Sequence, residues 1–510
     1  MMKNYIKLLV IGSIVFLFTP ACTDLDENIY STLIADDFYK SEEQIILAMG
    51  NAYSSMQLRG TSPWGLFGAQ EVSSDEVIPP FRTSGAFLRN NNLHLNNHEH
   101  KFDPGLPSVF GSWDFSFNTI AACNQIIFQI ERATIDEAVK SKFVAELKVL
   151  RAFNYYVAMD LFGNIPVSLD FADTDLPTQS TRSEVFEIIE RELLENIPLI
   201  DETPTTENYG RATQALGYAV LAKMYVNAEK WLGVQMWDKA IEACDNIING
   251  GNYSLANDYF DNFIIENQGS PEILFAIPYD RRQGFGFMIH SITLHPSFRE
   301  VYNYSAPIWN GMSTTEEFYN LYEDGDLRKK GWLVGEQFNI GGEPLLTTNN
   351  QTVNFTPFIA GLRNAAEDAG ARQGKWEFTP DLEQGQTSDN DFTFFRYADI
   401  LLIKAEALMR KNGGSSNAEA VNLVNQVRER AFGGISGNYT VATLTLDELI
   451  DERGRELSWE GHRRQDLIRF GKWQDAWIGK EANLGASTEL MPIPQNALSA
   501  NPNLTQNLGY

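Results

Sequence analysis

The sequence predicts a mainly α-helical protein: a scaffold of helical hairpins with a few short strands and long irregular loop insertions. Three observations predict it. Apolar residues recur at three- and four-residue spacing through most long segments, the signature of helices with one buried face. Two tracts, residues 58–112 and 250–392, break that period and are rich in Gly, Pro, Asn and aromatic residues. Hydrophobic residues make up 43% of the 510-residue chain and aromatic residues 12%, enough for a large core.

The elements follow in order. "MMKNYIK" carries Lys3 and Lys7 and no acid; the apolar run "LLVIGSIVFLF" and then Thr19-Pro20-Ala21-Cys22 come next. A positive start, a short apolar run and a small residue before a cut mark a secretory signal, and the run is too short to span a bilayer comfortably. "SEEQIILAMGNAYSSMQL" opens a helix with a Ser41 cap and Glu42 and Glu43 in its first turn. "FVAELKVLRAFNYYVAMDLFG" places Leu147, Leu150, Val157 and Leu161 on one side and stops at Gly163, with Pro166 beyond. "SEVFEIIERELLENIPLI" is the next helix.

"RATQALGYAVLAKMYVNAEKW" and "WDKAIEACDNIING" then form a pair rich in small residues, which let two helices approach closely. "FRYADILLIKAEALMRKNGG" and "NAEAVNLVNQVRERA" form another, separated by Gly413-Gly414. Such pairs resemble tetratricopeptide hairpins, although their spacing is irregular. Long insertions without helical period are uncommon in a compact domain unless they serve a function, so recognition is expected of the two irregular tracts.

The net charge of −27 argues against nucleic acid and against anionic lipid headgroups as partners. Neutral ligands, cationic ligands and proteins remain. Of the three cysteines, Cys123 and Cys244 sit in apolar helical patterns and are expected as small buried hydrophobes, with no thiolate metal cluster.

Two constellations carry candidate chemistry. In "DERGRELSWEGHRRQDLIRFG", Glu452, Glu456 and Glu460 share a helix face, with Arg453, Arg455, Arg463 and Asp466 interleaved. A glycosidase carboxylate pair is one reading. A structural ion-pair network is favoured, because adjacent arginines keep carboxylates ionised whereas a general acid needs a raised pKa. "HLNNHEH" brings His94, His98 and His100 together, but the surrounding asparagines favour a solvated loop over a metal centre. No P-loop, nucleophile elbow, dinucleotide fingerprint or EF-hand loop stands in a credible context, so no cofactor, metal or catalytic residue is expected.

Eight motifs in order give the chain a resemblance to the SusD/RagB family of Bacteroidetes outer-membrane lipoproteins. They are "CTDLDENIYST", "AELKVLRAFNYYVAMDLFGNIPV", "GRATQALGYAVLAKMYVNAEKW" with "WDKAIEACDNIINGGNYSL", "SPEILFAIPYD", "FFRYADILLIKAEALMRKNG", "VNLVNQVRERA", "DERGRELSWEGHRRQDLIRFGKW" and "LMPIPQNALSANPNLTQNLGY". The resemblance implies a lipoprotein signal peptide over residues 1–21, Cys22 as the lipidated first residue, and one SusD-like domain over 22–510. Thr19 departs from the usual lipobox leucine, and Asp24, Asp26 and Glu27 resemble a surface-export signal. It also implies a non-enzymatic protein on the cell surface that hands an oligosaccharide to a SusC/RagA-like TonB-dependent transporter. Peptide uptake is the alternative cargo, and a secreted glycoside hydrolase the less favoured third reading.

Sugar binding needs aromatic faces for ring CH groups and polar side chains at the rim. The first insertion offers Trp64, Phe67, Phe81 and Phe87 with Asp75, Arg82, Arg89, Asn91 and His94. The second offers Phe285, Phe287, Tyr302, Tyr304, Trp309 and Trp332 with Arg281, Arg282, His290 and Asn303. By family analogy the ligand face draws on both, and Trp64, Asp75, Arg82, Tyr302 and Trp309 are the preferred set. Trp113 is expected to serve packing.

Overall fold

Capping chemistry sets where the helices begin and end. The computed structural model describes residues 39–82, 92–280, 282, 286–301, 308–378 and 388–510. The predicted signal and Cys22 therefore lie outside the described residues. Helix α1, Glu42–Gly60, starts at Ser41, whose hydroxyl accepts the Gln44 N–H at 3.4 Å. Helix α2, Pro107–Arg132, opens on a proline at a position where its missing N–H costs nothing. Helix α3, Glu137–Phe162, is capped by the Asp136 carboxylate and ends at Gly163 with φ 73°. Helix α4, Arg182–Asn196, carries a full capping box between Thr181 and Glu184.

The second half of α3 departs from its one-sided reading. From Phe143 to Phe162 only Lys148 is not buried, so neighbours enclose the helix on all sides. Its polar residues are then paired rather than solvated. Glu146 accepts from Tyr53 (2.6 Å) and Arg211, and Arg151 is bonded to Glu192.

Helices α5, Gln214–Leu232, and α6, Trp237–Ile248, form the first predicted hairpin around Gly233, which has φ 71°. α7, Tyr397–Lys411, and α8, Ala418–Phe432, form the second. α6 packs on α7, so the two hairpins stack despite the long chain between them. That excursion explains the irregular repeat spacing. Strand β1, Ile273–Ile277, carries the chain out, and β2, Phe392–Arg396, brings it back antiparallel, with Ile273 opposite Arg396. α9, Leu446–Leu457, and α10, Arg463–Arg469, close the scaffold.

The insertion builds small cores of its own. Leu294, Phe298, Ile308, Leu345, Val353 and Phe355 form one. Ile78, Ile359, Ala365 and Ala369 form another, to which the first insertion contributes. Cys123 and Cys244 are buried free thiols, and burial pushes the Cys123 thiol up to about 12. Among the described residues no helix is long and apolar enough to cross a membrane.

Candidate ligand-binding site

Glu452 and Glu456 lie on α9, but the helix ends at Leu457, so Glu460 stands in the turn after it and not on the same helix face; all three carboxylates still point inward onto cations. Arg328 bonds Glu452 (2.8 Å) and Glu456 (2.9 Å); Arg396 bonds Glu272 (2.5 Å), Glu456 (3.0 Å) and Glu460 (2.7 Å). Arg430 adds Glu272 and Glu456, and Lys375 adds Glu460 at 2.7 Å. All these side chains are buried. The surrounding arginines overcome the cost of burial and hold the Glu456 carboxyl down at about 2, the opposite of what a general acid requires. The arrangement is the favoured ion-pair network.

The histidines overturn one expectation. "LHLNNH" is a short buried helix, Leu93–His98, rather than a solvated loop. The buried Asn97 finds a protein partner, donating to the Gly68 carbonyl. His98 bonds the carbonyl oxygens of Val77 (2.9 Å) and Ile478 (2.7 Å), while His100 bonds that of Ser73 (2.7 Å) and stacks on Trp473 at 3.9 Å. Burial pushes the His94 imidazole down to about 4. Among the described residues no group of three metal-ligating side chains forms.

Of the preferred set, the structure brings Trp64 and Trp309 together. Their ring centroids lie 5.4 Å apart at 56°, and His94 stands 5.9 Å from Trp64. The pair joins the two insertions that the sequence singled out. Trp64 is half-buried and Trp309 is 7% exposed. Close backbone packing fixes Trp64: a Cβ on Gly111 of α2 would sit 1.8 Å from the Trp64 carbonyl oxygen. Trp309 is fixed by its N–H to the Ser291 carbonyl, 2.8 Å.

Asp75 and Arg82 are held by protein groups. Asp75 receives a bidentate bond from Arg463, at 2.7 and 2.8 Å. Arg82 is 7% exposed, and its guanidinium donates to the carbonyl oxygens of Ala366 (3.1 Å), Ala369 (2.5 Å) and Gly311 (3.4 Å) and to the Ser313 hydroxyl (3.2 Å). It ties the first insertion to two stretches of the second. Tyr302 lies outside the described residues, as do Phe87, Arg89, Asn91, Arg281, Phe285, Asn303 and Tyr304.

Several other aromatics are core. Phe67 and Trp332 both pack on Trp459, at 5.4 and 6.0 Å, and Phe287 is fully buried. Trp113 packs as expected, stacked 4.1 Å from Phe117. The sequence reading missed Glu71 and Glu76. Glu71 accepts the N–H groups of Gly461 and His462, and Glu76 that of Trp459 at 2.8 Å. Trp459 itself has φ 62°, in the left-handed region. Two acids flanking a serine pair in an apolar stretch were the only signal.

With this geometry in hand, comparison with known proteins is decisive about kinship. A sequence model of the SusD family matches residues 347–510, and a second, described as "Starch-binding associating with outer membrane", matches 73–226. Both stretches of the chain are thus similar to SusD-type proteins. The starch-binding protein SusD of Bacteroides thetaiotaomicron is 28% identical over 435 residues, 77% of this chain and 76% of its own. SusD-like protein P2 of Formosa agariphila is also 28% identical, over 99% of both chains.

Among solved structures, surface glycan-binding protein A from Bacteroides uniformis superposes with TM-score 0.75 at 21% identity, covering 92% of this chain and 99% of that one. The Bacteroides thetaiotaomicron surface glycan-binding protein A, in complex with laminarihexaose, gives 0.73 at 22% identity, covering 91% and 99%. At these identities they establish the SusD fold, with its tetratricopeptide-like helical hairpins. Trp64 and Trp309 lie outside both matched stretches, so their assignment rests on the geometry alone.

Proposed function

We propose that this protein is a surface-exposed glycan-binding lipoprotein of the outer membrane that captures oligosaccharide and delivers it to a SusC-like TonB-dependent transporter. The observation that carries the proposal is the Trp64–Trp309 pair, two indole rings from two insertions meeting at 5.4 Å. Indole faces cover the CH surfaces of a sugar ring; half-buried Trp64 is the partner with surface to offer, and Trp309, a member of the hydrophobic core, backs it. Trp64 and Trp309, together with Tyr302, form the contact set; Asp75 and Arg82 fix the loops that carry it. Starch binding by SusD and laminarihexaose in a structural neighbour support a neutral glucan as cargo. The charge of −27 supports a ligand without anionic groups.

Cys22 is the attachment point for lipid, which places the domain at the membrane without a spanning helix. No catalytic role is assigned, since the α9 carboxylates are buried among arginines. Titration calorimetry against malto- and laminari-oligosaccharides tests the proposal. Saturable binding that Trp64→Ala abolishes with little change in melting temperature, and that Trp309→Ala abolishes in a destabilised but still folded variant, supports it. Binding to peptides alone, or glycan binding indifferent to Trp64→Ala and Trp309→Ala, refutes it.

A further inference from the structure

The second insertion holds a pocket that the tryptophan pair does not use. It lies between the turn 295–297 and the hairpin that runs from Gly335–Glu336 to Asn354–Phe355, and encloses about 560 Å³. That volume falls within the range of small-ligand sites. Its walls include His295, Pro296, Pro344, Leu346, Thr347 and Glu367. Leu345 also lines it and belongs to the small apolar core of the insertion, which gives this wall a fixed base.

The polar groups are set in place before any ligand arrives. Glu367 Oε1 accepts from the Thr348 N–H (2.8 Å) and hydroxyl (3.0 Å). His295 Nδ1 accepts the Ser297 N–H at 3.2 Å, which puts the imidazole proton on Nε2, 3.5 Å from Glu367 Oε2. Both side chains are buried, at 2% and 5% exposure. Beside the polar Asn339 and Glu343 that line it, the hairpin exposes apolar side chains: the lining Leu346 is 47% exposed, and its neighbours Phe338 and Ile340 are 49% and 79% exposed. Phe338 is bridged antiparallel to Pro344, and residues opposite one another in such a bridge share a face. The Phe338 ring is thus on the side of the pocket-lining Pro344.

We propose that this pocket is a second saccharide subsite, taking a neutral hexose unit of an oligosaccharide that also engages Trp64 and Trp309. The inference rests on the glycan-binding reading above. Apolar rim groups cover ring CH surfaces, while Glu367, Glu343 and the threonines bond hydroxyls; the carboxylates exclude anionic sugars. The two places adjoin through backbone. Asn310, next to Trp309, donates its N–H to the Leu294 carbonyl (3.1 Å) and its side chain to the Glu367 carbonyl (2.8 Å), and His295 follows Leu294. Two peptide steps and one hydrogen bond put them on the order of 10 Å apart, a gap that a short oligosaccharide spans.

The test is calorimetry with the full chain against malto- and laminari-oligosaccharides graded from disaccharide to heptaose. The wild type should gain about tenfold in affinity with length. Phe338→Ala and Leu346→Asn, both exposed positions, should keep the disaccharide affinity and lose that gain, whereas Trp309→Ala loses binding at every length. A length dependence that survives both hairpin variants, or a wild type whose affinity is flat with length, overturns the subsite. A wild type that binds no glycan fails before any variant is made; it overturns the glycan-binding reading itself and this inference with it.

Discussion

Replacing Arg396 by methionine tests the account of the charged α9 segment most directly. The guanidinium is buried and donates to Glu272 (2.5 Å), to Glu456 (3.0 Å), to both oxygens of Glu460 (2.7 and 2.9 Å) and to the Glu456 carbonyl (3.0 Å). Methionine fills similar space and donates nothing. Removing one partner from a buried ion pair costs about 3–5 kcal/mol, because the remaining charge is left uncompensated. Here each carboxylate keeps another cation: Arg430 for Glu272, Arg430 and Arg328 for Glu456, and Lys375 for Glu460. That moves the expectation to about 3 kcal/mol, and the orphaned carbonyl adds about 1. The unfolding midpoint in urea should fall accordingly with its slope unchanged. Adding Glu460→Gln removes the carboxylate that loses two donors with Arg396, so the double variant should lose about 1–2 kcal/mol less than the sum of the singles. The difference from wild type should also narrow in acid. The depressed Glu456 pKa contributes stability above its ordinary value of 4.5, and that contribution is lost as the pH falls toward about 2. A loss below about 1 kcal/mol, or strict additivity, would refute the network.

Further outcomes follow from other contacts. Burial pushes the other way, raising the Glu71 carboxyl to about 7 against the hydrogen bonds from Glu76, Gly461 and His462; its contribution is present below 4.5 and lost as pH rises through about 7. Glu71→Gln can still accept from Gly461 and His462, so it should flatten stability between about pH 5 and 8 and gain about 1–3 kcal/mol at the upper end; parallel pH profiles for variant and wild type count against a buried titrating pair. Gly111→Ala places a methyl on the Trp64 carbonyl and should cost about 3 kcal/mol while weakening glycan binding, read by melting and calorimetry; unaltered affinity means that the seat of Trp64 is not part of the site. Cys22→Ala should abolish palmitate labelling and release the protein from the membrane fraction, and persistence of label would move the anchor elsewhere.

Local chemistry was legible in the sequence; distant pairing was not. Ser41 and Gly163 delimit helices through contacts within a few residues, and each sits where the pattern put it; Thr181 and Gly233 do the same work at ends the pattern left unmarked. Small residues on α5 announced close packing, and Gly217 bears this out, since a Cβ there would lie 2.4 Å from Ile197. "HLNNHEH" misled because asparagine and histidine read as solvated when their partners, Gly68 and Ile478, are far along the chain. Arg82 was read as a rim donor for the same reason: the carbonyl oxygens it meets belong to residues 311–369. The tryptophans were named individually from composition, but only the fold brings Trp64 against Trp309.

The same limit explains the α9 segment, whose charge density was visible and whose purpose was not. Its partners come from both insertions. Asp75 of the first reaches Arg463, while Glu71 and Glu76 hold the turn at 459–462. Arg328 and Lys375 of the second reach Glu452, Glu456 and Glu460, and Arg396 at the base of its stem reaches two of the three. Buried ion pairs add little net stability compared with packed apolar groups, but they are directional and fail badly when misaligned. A segment that pins two long, irregular excursions benefits from that property more than from stability. It fixes where each insertion starts from without constraining the sequence at its tip. Trp64 and Trp309 sit on different excursions, so the angle between their rings depends on this shared anchor as well as on their local packing and on Arg82. The network thus acts on ligand binding through position, and loosening it with Arg396→Met should weaken glycan binding even though Arg396 is buried within the scaffold.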